Sequence, residues 1–150
     1  MKLEKSVEIE IEVQPDPKVV VIGDDEISSK ELALLLEEAG IETTMARNAN
    51  IRKIDDALPN AVIVEEKAGK GGWEVSSQIR QKSNVPIIVL GDSNSEIAWA
   101  KAAAYGVDCY LHKPFGSREL VARIKSLVRR YDDTSDGFTG LTRRGLPARV

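Results

Sequence analysis

At 150 residues, with 42% hydrophobic and 30% charged content, the chain has the length of one ordinary domain with short extensions and enough apolar side chains to bury a core. A formal net charge of −3 argues against bulk attraction to nucleic acid, which is driven by phosphate neutralisation, and no apolar run nears the ~18 residues of a membrane helix. The single cysteine, Cys109, excludes an internal disulfide, and the charged opening "MKLEKSVEIEIE" supplies no apolar secretory segment, so a reducing cytoplasm is the expected compartment.

In chain order, "SVEIEIEV" comes first and alternates strictly, with Val7, Ile9, Ile11 and Val13 on one face and Glu8, Glu10 and Glu12 on the other. A half-buried strand of this kind either adds to an edge of its own sheet or pairs with a second copy, and the latter gives a homodimer. "QPDPK" is a stiff connector, which closes an N-terminal extension over 1–16.

"KVVVIG" is a short β-branched run suited to a strand buried on both faces. "SSKELALLLEEAG" follows as a helix, with Leu32, Leu35, Leu36 and Ala39 at helical spacing. Ser28 with Glu31 reads as a capping box at its start, and Gly40 as its left-handed stop. The alternation repeats. "IETTMA" is a strand and "NIRKIDDAL" a short helix; "AVIVE" and "WEVSSQIRQ" form the third pair. "VPIIVL" and "SEIAWAKAAAY" form the fourth, with a second capping box from Ser93 and Glu96. "DCYLH" is the last strand. "SRELVARIKSLVRR" is the last helix, with Leu120, Ile124 and Leu127 inward and Arg129 and Arg130 at the negative end of its dipole. Residues 17–131 thus form one domain of five βα units, and 132–150 a flexible tail of turn formers and mixed charge. Within that tail Arg143, Arg144 and Arg149 read as solvated charges.

Strand and helix in regular alternation require a parallel sheet with helices on both faces, an α/β class in which chemistry gathers at the carboxyl ends of the strands. Those ends carry the unusual residues: Gly23, Asp24 and Asp25 after the first strand, Glu65 and Glu66 after the third, Gly91 and Asp92 after the fourth, and His112, Lys113 and Pro114 after the fifth.

With these blocks in place, "VVVIGDDEISSKELALLLEEAG", "GGWEVSSQIR", "VPIIVLG" and "YGVDCYLHKPF" resemble response-regulator receiver domains of two-component signalling, over about Pro17 to Tyr131. The resemblance implies a flavodoxin-like five-stranded parallel sheet, (βα)5. It also implies a pocket in which an aspartate after the third strand accepts a phosphoryl group, two acidic residues help hold Mg²⁺, a lysine neutralises charge, a Ser or Thr hydroxyl after the fourth strand registers the product, and an aromatic residue in the fifth strand repacks. Lys113 and Tyr110 match that pattern. Glu65 stands at the acceptor position, Gly23 at the first acidic position with Asp24 and Asp25 completing the acidic cluster, and Gly91 at the hydroxyl position; the loop after Glu65 is one residue shorter than in the family.

Octahedral Mg²⁺ is weakened when one carboxylate is lost and another lengthened, so no cofactor is expected; Asp24 and Glu65 are the only candidate metal ligands. In-line transfer loses on the order of 100-fold for a displacement of about 1 Å. The domain is therefore expected not to be phosphorylated in the usual manner, to be an interaction module rather than an enzyme, and to be fixed in one state. Two further readings of Glu65 stay open: imitation of a phosphorylated aspartate, with about one charge against the phosphoryl group's roughly −1.5 to −2, or a plain ion pair with Lys113. The alternatives for the whole domain are a working phosphoacceptor with altered Mg²⁺ geometry, or a transcriptional regulator without its own DNA-binding domain. The resemblance implies as partners a histidine kinase, another regulator or a second copy, on the face built by the fourth helix, fifth strand and fifth helix, where Trp99, Tyr105 and Tyr110 stand.

The remaining residues carry bland readings. "AGKGG" lacks the spacing of a phosphate loop and reads as a turn. Glu66 points away from Glu65 and reads as solvated. His112 has no Cys or His partners at ligand spacing, which argues against zinc. Cys109 reads as an inert core thiol.

Overall fold

The computed structural model describes residues 16–47, 54, 56–66, 72–92 and 96–137, with the backbone alone for 72 and 132–137. The alternating N-terminal segment, residues 68–71 of the "AGKGG" stretch, Ser93, most of "NIRKIDDAL" and the arginines of the tail lie outside the described residues.

Five strands form a single parallel sheet: β1 (Lys18–Ile22), β2 (Glu42–Ala46), β3 (Ala61–Glu65), β4 (Ile87–Gly91) and β5 (Cys109–His112), in the order β2-β1-β3-β4-β5. That is the flavodoxin-like order, whose direction reverses at β1 and so opens a crevice above the carboxyl ends of β1 and β3. Four helices are described: α1 (Glu26–Glu38), α2 (Gly72–Lys82), α3 (Glu96–Ala104) and α4 (Ser117–Gly137).

The three inner strands are continuous apolar runs because both their faces are covered. Alternate side chains divide into two cores. Val20, Ile22, Val62, Val64, Val89 and Tyr110 face α2 and α3. Val19, Val21, Ile63, Ile88 and Leu90 face α1 and α4, meeting Leu32, Leu36, Leu120 and Ile124. Each such aliphatic side chain, fully buried, contributes about 1.5–3 kcal/mol relative to exposure. β2 lies at the edge and is only partly covered, in keeping with its "ETTMA" composition.

Helix ends differ from the sequence reading in two places. The cap of α1 is Asp25, whose Oδ1 accepts the backbone N–H groups of Ile27 and Ser28 at 3.1 and 3.2 Å; Ser28 lies inside the helix, and its hydroxyl is used elsewhere. At the other end the chain leaves α1 through Gly40 at φ +83°, as its position in the sequence implies. The second difference is α4. It continues past Tyr131 to Gly137, so Arg129 and Arg130 stand within the helix rather than at its dipole end. The longer helix has its Leu120–Ile124–Val128 seam on the sheet, and its backbone hydrogen bonds carry on beyond that seam.

Candidate functional site

The crevice above β1 and β3 is built around Glu65, the last residue of β3. It shares the parity of Ile63, and its side chain therefore emerges on the α1 side of the sheet. There the Ser28 hydroxyl donates to Oε2 at 2.8 Å and the Ser29 hydroxyl to Oε1 at 2.7 Å. Both serines lie in the first turns of α1, where the positive end of the helix dipole also favours a carboxylate. Gly23 makes the arrangement possible: a Cβ there would lie 2.5 Å from Glu65 Oε1 and 2.8 Å from the Ser29 hydroxyl oxygen. The longer carboxylate thus fills the space that a first acidic side chain would need.

The other acidic residues do not converge on it as a metal-binding set. Asp24 is exposed on the β1–α1 turn, and Asp25 accepts the two helix amides. Among the described residues, no three His, Cys, Asp or Glu side chains are placed together to hold a metal ion. Lys113 follows β5, anchored by its backbone N–H to the Gly91 carbonyl at 2.8 Å, but it forms no ion pair with Glu65 or with any other described residue. The Glu65–Lys113 pair considered from the sequence is therefore replaced by a carboxylate held between two serine hydroxyls. The physical reason is direction: the α1 hydroxyls meet the carboxylate on the side where Gly23 leaves room.

Glu66 corrects the sequence reading more sharply. The sheet hydrogen bonding continues one residue past β3, from the Glu66 N–H to the Leu90 carbonyl at 2.8 Å, and alternation sends the Glu66 side chain to the opposite face from Glu65. That face is covered. Glu66 is only 4% exposed, with the Trp73 side chain hydrogen-bonded to its carboxylate, and burial pushes its carboxyl above the ordinary value against the opposing effects of Trp73 and the nearby Lys101.

Gly91 ends β4 on the same face. A Cβ added there would lie 2.5 Å from the Tyr110 hydroxyl and 2.7 Å from Glu66 Oε1. Tyr110 is wholly buried, stacked on Trp73 at a centroid distance of 5.8 Å and met edge-on by Trp99 at 5.5 Å and 75°. Trp99 is itself 52% exposed on α3, beside the exposed Ile97, and Tyr105 is exposed while keeping a ring contact with Trp73 at 6.1 Å. An aromatic chain thus runs from the buried Glu66 to the surface.

Sequence reasoning missed four features here: the serine pair on α1, Glu66, Trp73, and the bond between Arg80 and Asp108 at the far end of the sheet. Gly91 in a buried strand was the available signal for the second, since a strand glycine marks close approach by another group, here Glu66 and Tyr110. Cys109 is partly buried and its thiol is pushed up by burial, as suits an unreactive side chain.

Comparison with known proteins bears on this site. The sequence profile described as "Response regulator receiver domain" matches residues 19–125. The sensory transduction protein RegX3 of Mycobacterium tuberculosis is 34% identical over 136 residues, covering 88% of this chain and 60% of that protein. The chain thus spans 60% of the length of the curated relatives it matches first. Among solved structures, the Francisella response regulator 1452 receiver domain is similar at 28% identity and a TM-score of 0.70, covering 77% of this chain and 98% of that one. A two-component response regulator from Clostridium difficile is similar at 29% identity and a TM-score of 0.69, with the same coverage of both chains.

Proposed function

The chain belongs to the response regulator receiver domain family, and from that premise we propose that it is a phosphorylation-independent interaction module whose triggering pocket is occupied by its own side chains. The observation that carries this reading is the Glu65 carboxylate, held by Ser28 and Ser29 over Gly23.

Phosphoryl transfer within this family's pocket needs an in-line nucleophile and a well-placed Mg²⁺. The residues present do not fit that ion. Gly23 brings no oxygen ligand from its side chain, Asp25 caps a helix, and each oxygen of Glu65 already accepts a hydroxyl hydrogen. Gly91 likewise has no hydroxyl with which to register a product. The domain is fixed in one arrangement, with Tyr110 inward, and works by presenting a surface rather than by chemistry of its own.

That surface is the face of α3, β5 and α4, where Trp99 and Tyr105 are exposed. A half-exposed tryptophan braced by a buried ring is a suitable anchor for a protein partner. The partner class is a histidine kinase, a second regulator or another copy of this chain, in the cytoplasm, with the α/β domain through the end of α4 as the interacting unit. Direct nucleic-acid binding is not part of the reading, given the net charge of −3.

Incubation of the intact protein with Mg²⁺ and a small acyl-phosphate donor, followed by intact-mass measurement, is expected to leave the mass unchanged. A stoichiometric gain of one phosphoryl group would contradict the proposal and favour a working phosphoacceptor.

A further inference from the structure

We infer that residues 7–13 add to the outer edge of β2 as an antiparallel strand of their own sheet, with Val13 opposite Thr43 and Ile11 opposite Met45. The inference is independent of the pocket at Glu65, and it decides between the two placements that the alternating pattern of this segment allows.

The receiving edge is open in a definite way. β2 is the last strand on its side of the sheet, and among the described residues nothing pairs with its outer edge. In a parallel ladder, alternate residues turn both backbone groups to the same neighbour. The Glu42 N–H donates to the Pro17 carbonyl and the Gly23 N–H to the Ala46 carbonyl, so Glu42, Thr44 and Ala46 serve β1, while Thr43 and Met45 turn their N–H and C=O groups outward. The strand "ETTMA" has neither lysine nor proline, and its register with β1 is unbroken, so the usual protections of a free edge are absent from it.

Geometry then selects the occupant. Asp16, at the approach to β1, has turned toward β2: its Oδ1 lies 3.9 Å from where a Cβ on Gly40 would be, and Gly40 belongs to the turn that feeds β2. The chain before Asp16 therefore arrives beside the amino end of β2. A strand outside β2 is two spacings from β1, about 10 Å, and the steps from Val13 to Lys18 reach up to roughly 17 Å. Outside β5 the distance is four spacings, about 19 Å, which is out of reach. A parallel placement on β2 needs a crossover of about a dozen residues, whereas only Gln14 to Pro17 intervene. A second copy offers the same edge, but a short connector gives the segment an effective concentration on the order of millimolar at its own sheet, which favours that sheet.

Side chains set the register. Thr43 and Met45 pair with Val19 and Val21 and so face the α1 side, where Met45 is only partly buried. Val13 and Ile11 opposite them extend the apolar layer over Met45, Glu8, Glu10 and Glu12 fall on the other face, and Gln14 rather than a glutamate stands opposite Glu42. A slip of one residue sets Glu12 against Met45 and reverses every side chain. The added strand closes the β2 edge to strands from other molecules.

The test is NMR on the full wild-type chain without any phosphodonor, so it can fail while the proposed function stands. Cross-strand contacts are expected between Val13 and Thr43 and between Ile11 and Met45, with the Thr43 and Met45 amides protected from hydrogen exchange. Ile11→Pro removes a ladder donor and is expected to lose those contacts and that protection while the amides of β1 and β3 stay protected. A sample mixing isotope-labelled and unlabelled chains shows whose strand is bound: contacts within one chain support the inference, and contacts only between chains overturn it in favour of an exchanged dimer. Missing cross-strand contacts, contacts in parallel order, or unprotected Thr43 and Met45 amides in the wild type would overturn it as well, whatever the variant does.

Discussion

Glu65 and Glu66 are adjacent in the chain and chemically alike, yet the first is held by hydroxyls in an open crevice and the second is shut inside the core. Strand alternation separates them, and a glycine on each face makes room: Gly23 for Glu65, and Gly91 for Glu66 together with Tyr110. Two predictions follow from these residues. Because burial raises the Glu66 carboxyl above its ordinary 4.5, the folded state favours its protonated form; the associated stability is complete below that value and is lost as pH rises through the raised one. Urea unfolding of the wild type should therefore show declining stability over that window, and Glu66→Gln should remove that part of the slope. Gly23→Asp places a Cβ against Glu65 Oε1 and a second carboxylate beside it, so urea unfolding should show a loss of about 1–3 kcal/mol by overpacking alone. Shortening Glu65 to Asp in the same chain should recover part of it. The identities at this site were legible in the sequence, Glu65, Gly23, Gly91, Lys113 and Tyr110 among them. Their directions were not, because the end of a ladder and the cover over it depend on neighbours far along the chain. Glu66 looked solvated for want of knowing that Trp73 closes over it.

The elements were legible for a plain reason: uninterrupted apolar runs such as "VVVI" and "PIIVL" suit only strands covered on both faces, and the amphipathic stretches between them have the length of crossover helices. Their ends were less so. Ser28 has the spacing of a capping box, but Asp25 takes the helix amides and frees the serine hydroxyl for Glu65. One buried link between elements was invisible in the sequence. Arg80 of α2 bonds Asp108 Oδ2 at 2.9 Å and donates to the carbonyls of Ser83, Val85 and Gly106, while the same Asp108 oxygen accepts the Ile87 N–H. This network ties the end of α2 to the starts of β4 and β5, with both partners largely buried. Arg80→Met takes a buried guanidinium away from Asp108 and from three carbonyl groups at once, so it should cost about 3–5 kcal/mol in urea unfolding. The exposed Arg123–Glu119 pair on α4 should contribute only about 0–1 kcal/mol when broken in the same assay.

Across the whole molecule, the sheet does two jobs with one set of strands. At the amino ends it is fastened by the Arg80–Asp108 network, and at the carboxyl ends it presents two carboxylate–glycine pairs on opposite faces. The receiver scaffold survives because its stability lies in the two cores, which the changed residues do not enter as apolar packing. A side chain restored at Gly23 or at Gly91 alone meets a close contact, with Glu65 and Ser29 in the first case and with Tyr110 and Glu66 in the second. In the proposed reading Glu65 fills the crevice and leaves no place for a metal-held phosphoryl group. Its most direct test is an amide NMR titration of the full chain with Mg²⁺ and beryllium trifluoride, which mimics that group on a carboxylate. The spectrum around Gly23, Glu65, Lys113 and Tyr110 should stay unchanged through the titration; saturable shifts at Glu65 that extend to Tyr110 and Trp99 would contradict the account.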